Sequence, residues 1–170
     1  MIRNESLKKD KTSLGIIDSK SIKNVDTAEE KGYDAGKKVS GIQLHIVVDT
    51  LGLPHAVHVT CADVTDRKGA EEMIVLHKEN LSSVKKFVVD GGYSGEKFSK
   101  MVREKHGGEV EAVKRNEQHQ FKVQPKRWIV ERSFSWLEKH RRLWKNCERK
   151  FHTFLEMSVL AFTVPLLKRF

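Results

Sequence analysis

Residues 86–92 read KFVVDGG, a short apolar run that ends in an aspartate and two glycines. Apolar runs of this length that are bounded by turn residues are typical of buried strands. In open α/β sheets, ligand crevices form beyond the carboxyl ends of the strands, and Asp90 falls at such an end. The two glycines let the backbone turn tightly and leave room for a bulky ligand. Asp90 is therefore a candidate functional residue at the edge of a sheet.

Further strands are predicted on both sides of this stretch. Alternating or apolar runs predict strands at residues 14–18, 44–50, 55–60 and 109–114. A glycine and a proline lie between the second and third of these, so those two strands are expected to form an antiparallel hairpin. Residues 19–41 hold three glycines among many charges and are predicted to be an irregular loop at one edge of the sheet.

Helices are predicted between and after the strands. Thr65 or Asp66 is expected to cap a helix that ends at about residues 76–79, and Ser94 is expected to cap a second helix. Two C-terminal helices are predicted at about 127–144 and 153–168. This order predicts an α/β domain of RNase H-like fold, with a mixed central sheet flanked by helices. Its first three strands are antiparallel and its later strands are parallel. Element order alone also fits a generic α/β domain.

The composition favours a single basic domain that binds a polyanion. The chain has 170 residues, 32 Lys and Arg against 23 Asp and Glu, and a formal charge of +9, which favours nucleic acid as a partner. Membrane surfaces also attract basic proteins, but the apolar stretch 157–167 is too short to span a bilayer. Two cysteines without metal-site spacing indicate a reduced, cytosolic setting. Residues 1–13 are predicted to be a charged, flexible lead-in and 14–170 the folded domain.

Three carboxylates lie where such a fold joins distant segments. Asp18 ends the first strand, Asp90 ends the fourth, and Glu131 lies at the margin of the apolar face of a helix. Taken singly, Asp18 is a plain turn residue, and Glu131 is an exposed glutamate paired with Arg127 or Ser135. Taken together they favour Mg²⁺ or Mn²⁺, because oxygen ligands suit these ions and no competing His/Cys set is evident. Two such ions could support an in-line displacement at phosphorus.

A basic segment accompanies the last carboxylate. Residues 126–150 hold nine Lys or Arg and three Glu, which gives +6 of the total of +9. We predict phosphate contacts here, although a solvated helix face and a solvated loop are the alternatives. The candidate contacts are Arg127, Arg132, Lys139, Arg141, Arg142 and Lys145, with Lys37 and Lys38 in the glycine-bearing loop. Trp136 and Trp144 are candidates for base stacking, but Trp144 falls on the apolar face and is expected in the core.

Six blocks of sequence, taken in order, carry a family resemblance. They are IIDSKS (16–21), GYDAGKKV (32–39), HIVVDTLGL (45–53), ADVTDRKGA (62–70), VVDGGYSG (88–95) and WIVERSFSWL (128–137). Together they resemble the catalytic half of bacterial insertion-sequence transposases of the DDE superfamily. The resemblance implies an RNase H-like fold and a triad of Asp18, Asp90 and Glu131 that binds Mg²⁺, with Mn²⁺ as a substitute. It also implies that Arg127, four residues before Glu131, contacts a phosphate near the scissile bond.

The activity implied by this resemblance is metal-dependent strand cleavage and strand transfer at insertion-sequence ends. The implied partners are double-stranded DNA at the transposon ends and target, and further copies of the chain. A third implied partner is a separate N-terminal DNA-binding product. Complete members carry such a region before the first aspartate, and the 17 residues before Asp18 are too few for it. A bacterial cytoplasmic location at the nucleoid, with no membrane partner, is expected. Two alternatives stay open: a catalytically inactive remnant that binds DNA or regulates a full-length transposase, and a structure-specific nuclease.

Overall fold

The computed structural model describes residues 12–26, 28–113 and 127–167. They form a six-stranded sheet with helices on both faces. The strands are β1 (Leu14–Lys23), β2 (Gly32–Asp34), β3 (Val39–Val48), β4 (Pro54–Cys61), β5 (Lys86–Asp90) and β6 (Glu109–Val113). The helices are α1 (Asp66–Leu76), α2 (Glu96–Lys105), α3 (Arg127–Glu138) and α4 (Phe151–Leu167). Most of the predicted lead-in, and the predicted ends at residues 114 and 168, lie outside the described residues.

The sheet combines antiparallel and parallel pairing as predicted. β3 pairs antiparallel with β1 along one edge and with β2 and β4 along the other. β5 pairs parallel with β1, and β6 pairs parallel with β5. The mixed α/β sheet, antiparallel in its early strands and parallel in its later ones, is thus confirmed. This topology places β1 between β3 and β5.

The prediction of an irregular loop at residues 19–41 is wrong, because both ends of this segment are strands. β1 continues to Lys23, β3 begins at Val39, and the short β2 lies between them. Ile22 and Ile42 are partners in the β1–β3 register and both are buried, which holds the extended pairing together. Gly41 therefore serves a close approach of two strands and does not mark a turn. A Cβ at Gly41 would lie 2.0 Å from the carbonyl oxygen of Ile22.

The two faces of the sheet carry separate cores. Ile16 and Val88 pack in the cluster beneath α3 and α4, whereas Ile17 and Phe87 pack in the cluster beneath α1 and α2. Side chains alternate between the faces along a strand, so residues two positions apart share a face. The residues two positions beyond Ile16 and Val88 are the aspartates that end the predicted strands. Both therefore belong to the face covered by α3.

α1 has a side-chain N-cap and α2 does not. Thr65 caps α1 as predicted, and its hydroxyl accepts a hydrogen bond from the N–H of Lys68 at 3.3 Å. The predicted cap at Ser94 is wrong, because α2 begins at Glu96 after Gly95, whose φ is 135°. A 3₁₀ turn over residues 91–93 follows β5, and the Ser94 hydroxyl donates to the Gly91 carbonyl at 2.6 Å. Ser94 thus closes this turn.

The C-terminal helices are also placed differently from the prediction. α3 ends at Glu138 and turns follow, so helical periodicity no longer decides which side chains face the core. Leu143 is buried, whereas Trp144 is 65% exposed, and the prediction that Trp144 lies in the core is wrong. α4 begins at Phe151, earlier than predicted. No helix within the described residues is long and apolar enough to cross a membrane.

Candidate active site

Asp18 and Asp90 lie beside each other on adjacent parallel strands. The prediction that Asp18 ends its strand is wrong, because β1 continues to Lys23, whereas Asp90 is the last residue of β5. β1 and β5 pair from Leu14 with Lys86 to Ile16 with Val88, which puts Asp18 level with Asp90 two residues further along. Both aspartates line one small cavity on the α3 face, together with Arg127 from α3. The structure therefore brings together two of the three carboxylates that the sequence selected.

The Asp18 carboxyl group lies in a largely buried position. Burial raises the pKa of Asp18 to about 6, and the neighbouring Asp90 carboxylate also raises it, while the Ser19 N–H and the Arg127 guanidinium lower it. The Ser19 N–H donates to Asp18 Oδ1 at 2.8 Å. A buried carboxylate beside a second one gains from any positive charge placed between them. This environment fits a cation-binding role for Asp18.

The turn after β5 sets the direction of the Asp90 side chain. Asp90 Oδ1 accepts a hydrogen bond from the N–H of Gly92 at 2.6 Å, and its Oδ2 lies 3.6 Å from Arg127 Nη1. The carbonyl of Gly92 in turn accepts from Arg67 Nε at 2.8 Å. Arg67 lies in the first turn of α1, so this helix supports the Asp90 turn from the opposite face. Arg67 was not predicted from the sequence, because its hydrogen bond to the Gly92 carbonyl joins distant segments.

Glu131 is connected to Asp90 by Arg127, which contacts both carboxylates. The Glu131 side chain is 59% exposed, and its Oε1 lies 3.3 Å from Arg127 Nε. This is the helical pair that the sequence left open as the simpler interpretation of Glu131. Arg127 thus lies between Glu131 and Asp90. Among the described residues, no group of three or more His, Cys, Asp and Glu is placed to hold a metal ion.

The donor chemistry nevertheless fits a divalent cation. Asp18, Asp90 and Glu131 offer carboxylate oxygens, the ligands that Mg²⁺ and Mn²⁺ prefer. Burial raises the pKa of Asp18 more than Arg127 lowers it, so a further positive charge would stabilise its ionised form. Arg127 supplies one positive charge to the two other carboxylates. These residues could hold a divalent ion if the guanidinium yielded its place.

A polar layer on the opposite face supports the segment around Asp18. Gln43 is 1% exposed, and its Nε2 donates to the Ser19 hydroxyl at 3.1 Å and also contacts the carboxylate of Asp66. Tyr93 is buried beside Ser19, and burial raises the pKa of its hydroxyl so that it stays protonated. Neither Gln43 nor Tyr93 was selected from the sequence. The available signal was a polar side chain, Gln43, between the apolar residues Ile42 and Leu44.

Several basic side chains predicted to contact DNA lie at the surface. Lys139, Arg141 and Arg142 are exposed in or near the turns after α3, and Arg142 pairs with Glu148 at 2.6 Å. The other three candidates away from α3 are Lys145, which is partly exposed, and Lys37 and Lys38, which are exposed. Lys37 lies 3.4 Å from the Asp66 carboxylate, near the polar layer. Their contacts with DNA stay a prediction.

Arg132 has a different setting from these surface residues. Its guanidinium carbon lies 4.7 Å from the ring centroid of Trp128 and 5.3 Å from that of Trp136, which are cation–π distances. Its Nη2 also donates to the carbonyl of Leu51 at 2.9 Å. Arg132 thereby attaches the β3–β4 turn to α3, just beside Glu131. Its contact with DNA stays a prediction, and its contacts with the fold position Glu131.

The environment of Asp18 gives a testable pH dependence. Its pKa in the folded chain is about 6, above the ordinary value of 3.8, so the folded chain binds more protons between these values than the unfolded chain. The contribution of Asp18 to the stability of the metal-free chain is therefore greatest below this window and falls as pH rises through it. Ionisation of Asp18 costs on the order of 3 kcal/mol. We expect Asp18→Asn to be more stable than wild type at pH 7.5 and equal to it near pH 4.

Urea unfolding in EDTA, repeated across this pH range, measures the effect. Parallel pH profiles for the two chains would contradict the assigned environment of Asp18. Saturating Mn²⁺ should reverse the order at pH 7.5, since the charged carboxylate then gains a cation and the amide does not. An unchanged order in Mn²⁺ would argue that Asp18 does not bind the ion.

Comparison with known proteins identifies the family. The family model described as "Transposase DDE domain" matches residues 9–166. The chain is also 32% identical over 117 residues to the "Putative transposase for insertion sequence element IS402" of Burkholderia cepacia. That alignment covers 65% of this chain and 55% of the relative, so the chain spans a little over half of the relative's length. Because the family match includes the segments that carry Asp18, Asp90 and Glu131, this chain belongs to the DDE transposases of insertion sequences.

Proposed function

We propose that this chain is a transposase catalytic domain that cleaves a DNA strand at an insertion-sequence end and transfers the freed end to target DNA. The observation that carries the proposal is the position of Asp18 in β1 beside Asp90 at the end of β5, with Arg127 and Glu131 on α3 next to them. The RNase H-like fold is part of the proposal. The mixed sheet, with the first aspartate on an inner strand, supports it.

Each residue of the site has a proposed part in this chemistry. Asp18, Asp90 and Glu131 would hold divalent ions, either Mg²⁺ or Mn²⁺ as a substitute. When bound, such ions stabilise charge on the attacking and leaving oxygens at phosphorus. Burial around Asp18 limits the access of water, and the Gly92 N–H fixes the direction of Asp90. Arg127 offers a planar fork of donors that suits a phosphate group.

The proposed substrate is double-stranded DNA, both at the transposon end and at the target. Exposed or partly exposed basic residues after α3 would neutralise backbone phosphates, so DNA affinity should fall steeply as salt rises. These residues are Lys139, Arg141, Arg142 and Lys145. A homo-oligomer that pairs two ends, and a separate product that supplies end recognition, are further proposed partners. The proposed place of action is the nucleoid in the bacterial cytoplasm.

One observation favours a second function. Glu131 pairs with Arg127 in a site that does not form a complete metal-binding group among the described residues. In a catalytically inactive remnant that binds DNA, or regulates a full-length transposase, Glu131 would need no metal ion and could stay paired with Arg127. The two functions differ in whether Glu131 can leave Arg127.

A strand-transfer assay separates these functions and the nuclease alternative. The substrate is a labelled duplex from the DNA flanking the reading frame, pre-cut to expose a 3′-hydroxyl, with supercoiled plasmid and Mn²⁺. We expect the label to become covalently joined to plasmid. Label released only by hydrolysis would identify a nuclease, and DNA binding without reaction products would identify the remnant.

A further inference from the structure

Arg127 occupies the space between the candidate metal ligands. Its Nη1 lies 3.6 Å from Asp90 Oδ2 and its Nε lies 3.3 Å from Glu131 Oε1. The guanidinium also lines the cavity that Asp18 shares with Asp90. Although it contacts two acids, the Arg127 side chain keeps 28% of its surface exposed. One cation of the chain itself thus lies between two of the three carboxylates and lines the same cavity as the third.

This position brings the guanidinium into competition with a metal ion. An ion held by Asp90 and Glu131 would use carboxylate oxygens that now face Arg127. Two cations separated by a few ångströms repel each other strongly when they are partly shielded from water. The ion and the guanidinium therefore exclude each other from this place.

Arg127 also has an alternative partner that matches its geometry. Guanidinium groups bind carboxylates and phosphates with the same planar fork of N–H donors. The side chain starts at the first residue of α3 and is partly exposed, so it can turn towards DNA lying on the site without moving the helix. A DNA phosphate would supply Arg127 with a negatively charged partner in place of the Asp90 and Glu131 carboxylates.

We propose that Arg127 is an exchangeable occupant of the metal site, which holds Asp90 and Glu131 in the free chain and moves to a DNA phosphate when a metal ion enters. This inference rests on the proposed function and adds its regulation. Metal binding is then weak without DNA and strengthened by DNA. By linkage, the metal ion raises DNA affinity by the same factor. The exchange keeps the site inactive until substrate is present.

The first test is calorimetric titration of Mn²⁺ into the DNA-free chain. We expect Arg127→Gln to bind Mn²⁺ about tenfold more tightly than wild type, because the competing cation is gone. Arg127→Lys keeps the charge without the fork and should stay close to wild type. Arg149→Gln is the matched control, since it breaks the exposed Arg149–Glu29 pair away from the site, and it should bind as wild type. Unchanged or weaker Mn²⁺ binding by Arg127→Gln would overturn the proposal.

The second test repeats the titration with a short duplex present. The wild-type chain should bind Mn²⁺ about tenfold more tightly with DNA than without it, whereas Arg127→Gln should show no such gain. Equal gains in both chains would overturn the exchange. Urea unfolding of each variant confirms that it is folded, and Arg127→Met serves as a second neutral variant.

One further variant distinguishes this inference from the proposed function. Asp90→Asn should lose Mn²⁺ binding in both titrations. If it does so while Arg127→Gln behaves as wild type, the metal site stands and the exchange fails. If Asp90→Asn binds Mn²⁺ as tightly as wild type, the metal site itself is wrong and both proposals fall.

Discussion

Asp90→Asn is expected to slow the nicking of supercoiled plasmid in Mn²⁺ by about a thousandfold, which corresponds to roughly 4 kcal/mol of lost transition-state stabilisation. The amide keeps the shape of the side chain and can still accept from the Gly92 N–H. It removes the negative charge that a divalent ion requires. The rate at which supercoiled plasmid becomes open circular, followed on gels, measures this loss.

The matched control for this prediction is Asp63→Asn, which neutralises an exposed aspartate in the loop after β4. We expect this variant to nick at the wild-type rate. Asp90→Asn should unfold in urea within about 1 kcal/mol of wild type, because the lost ion pair with Arg127 offsets the relieved repulsion between Asp90 and Asp18. Nicking by folded Asp90→Asn at the wild-type rate would contradict the assignment of Asp90.

The parts of the site that the sequence predicted are those encoded locally. An apolar run followed by an aspartate places the carboxylate at a strand end, as it does for Asp90, and the alternation of side chains then fixes its face. The cap at Thr65 and the start of α3 near Arg127 are equally local. Parallel pairing of β1 with β5 was needed to place Asp18 beside Asp90, and the structure supplies it; the element order predicted only that the later strands are parallel.

The parts that the sequence did not predict depend on contacts between distant segments. The bond from Arg67 to the Gly92 carbonyl, and the place of Arg127 between two acids, follow from how α1 and α3 pack on the sheet. Trp144 was misplaced because the end of a helix depends on tertiary packing as well as on local preference. The three carboxylates could be selected from the sequence by residue type. The position of the Arg127 guanidinium between Asp90 and Glu131 could not, because it depends on how the chain folds.

Gly41 was predicted to lie in a loop, but it lies in a strand. Glycine among charged residues indicates a loop, because it is flexible and common in turns. In the fold, Gly41 pairs with Lys23 across β1 and β3, and the strands approach too closely there for any side chain. The residues on either side of the predicted loop are thereby joined into the longest antiparallel pairing of the described sheet.

Gly41→Ala is therefore expected to destabilise the chain by roughly 3 to 5 kcal/mol. The added Cβ would lie 2.0 Å from the Ile22 carbonyl oxygen and 2.9 Å from the Asn24 nitrogen, both of which are backbone atoms in or beside β1. A flexible side chain could move away, but these backbone atoms cannot shift without losing hydrogen bonds. Asn24 N–H donates to the Ser40 carbonyl, and Asn146 N–H donates to the Lys23 carbonyl on the other edge of β1. The midpoint and slope of urea unfolding measure the loss.

Gly36→Ala is the control for this substitution, because the nearest atom to its Cβ would be Asp34 Oδ1 at 3.4 Å, an ordinary contact. Its stability should stay within about 1 kcal/mol of wild type. Since Asp18 and Ile22 share β1, strain at Gly41 should also weaken Mn²⁺ binding in whatever fraction of the Gly41→Ala chain remains folded. Equal stabilities for the two alanine variants would show that β1 and β3 can separate at Gly41, and the extended pairing would then contribute little to holding Asp18 in place.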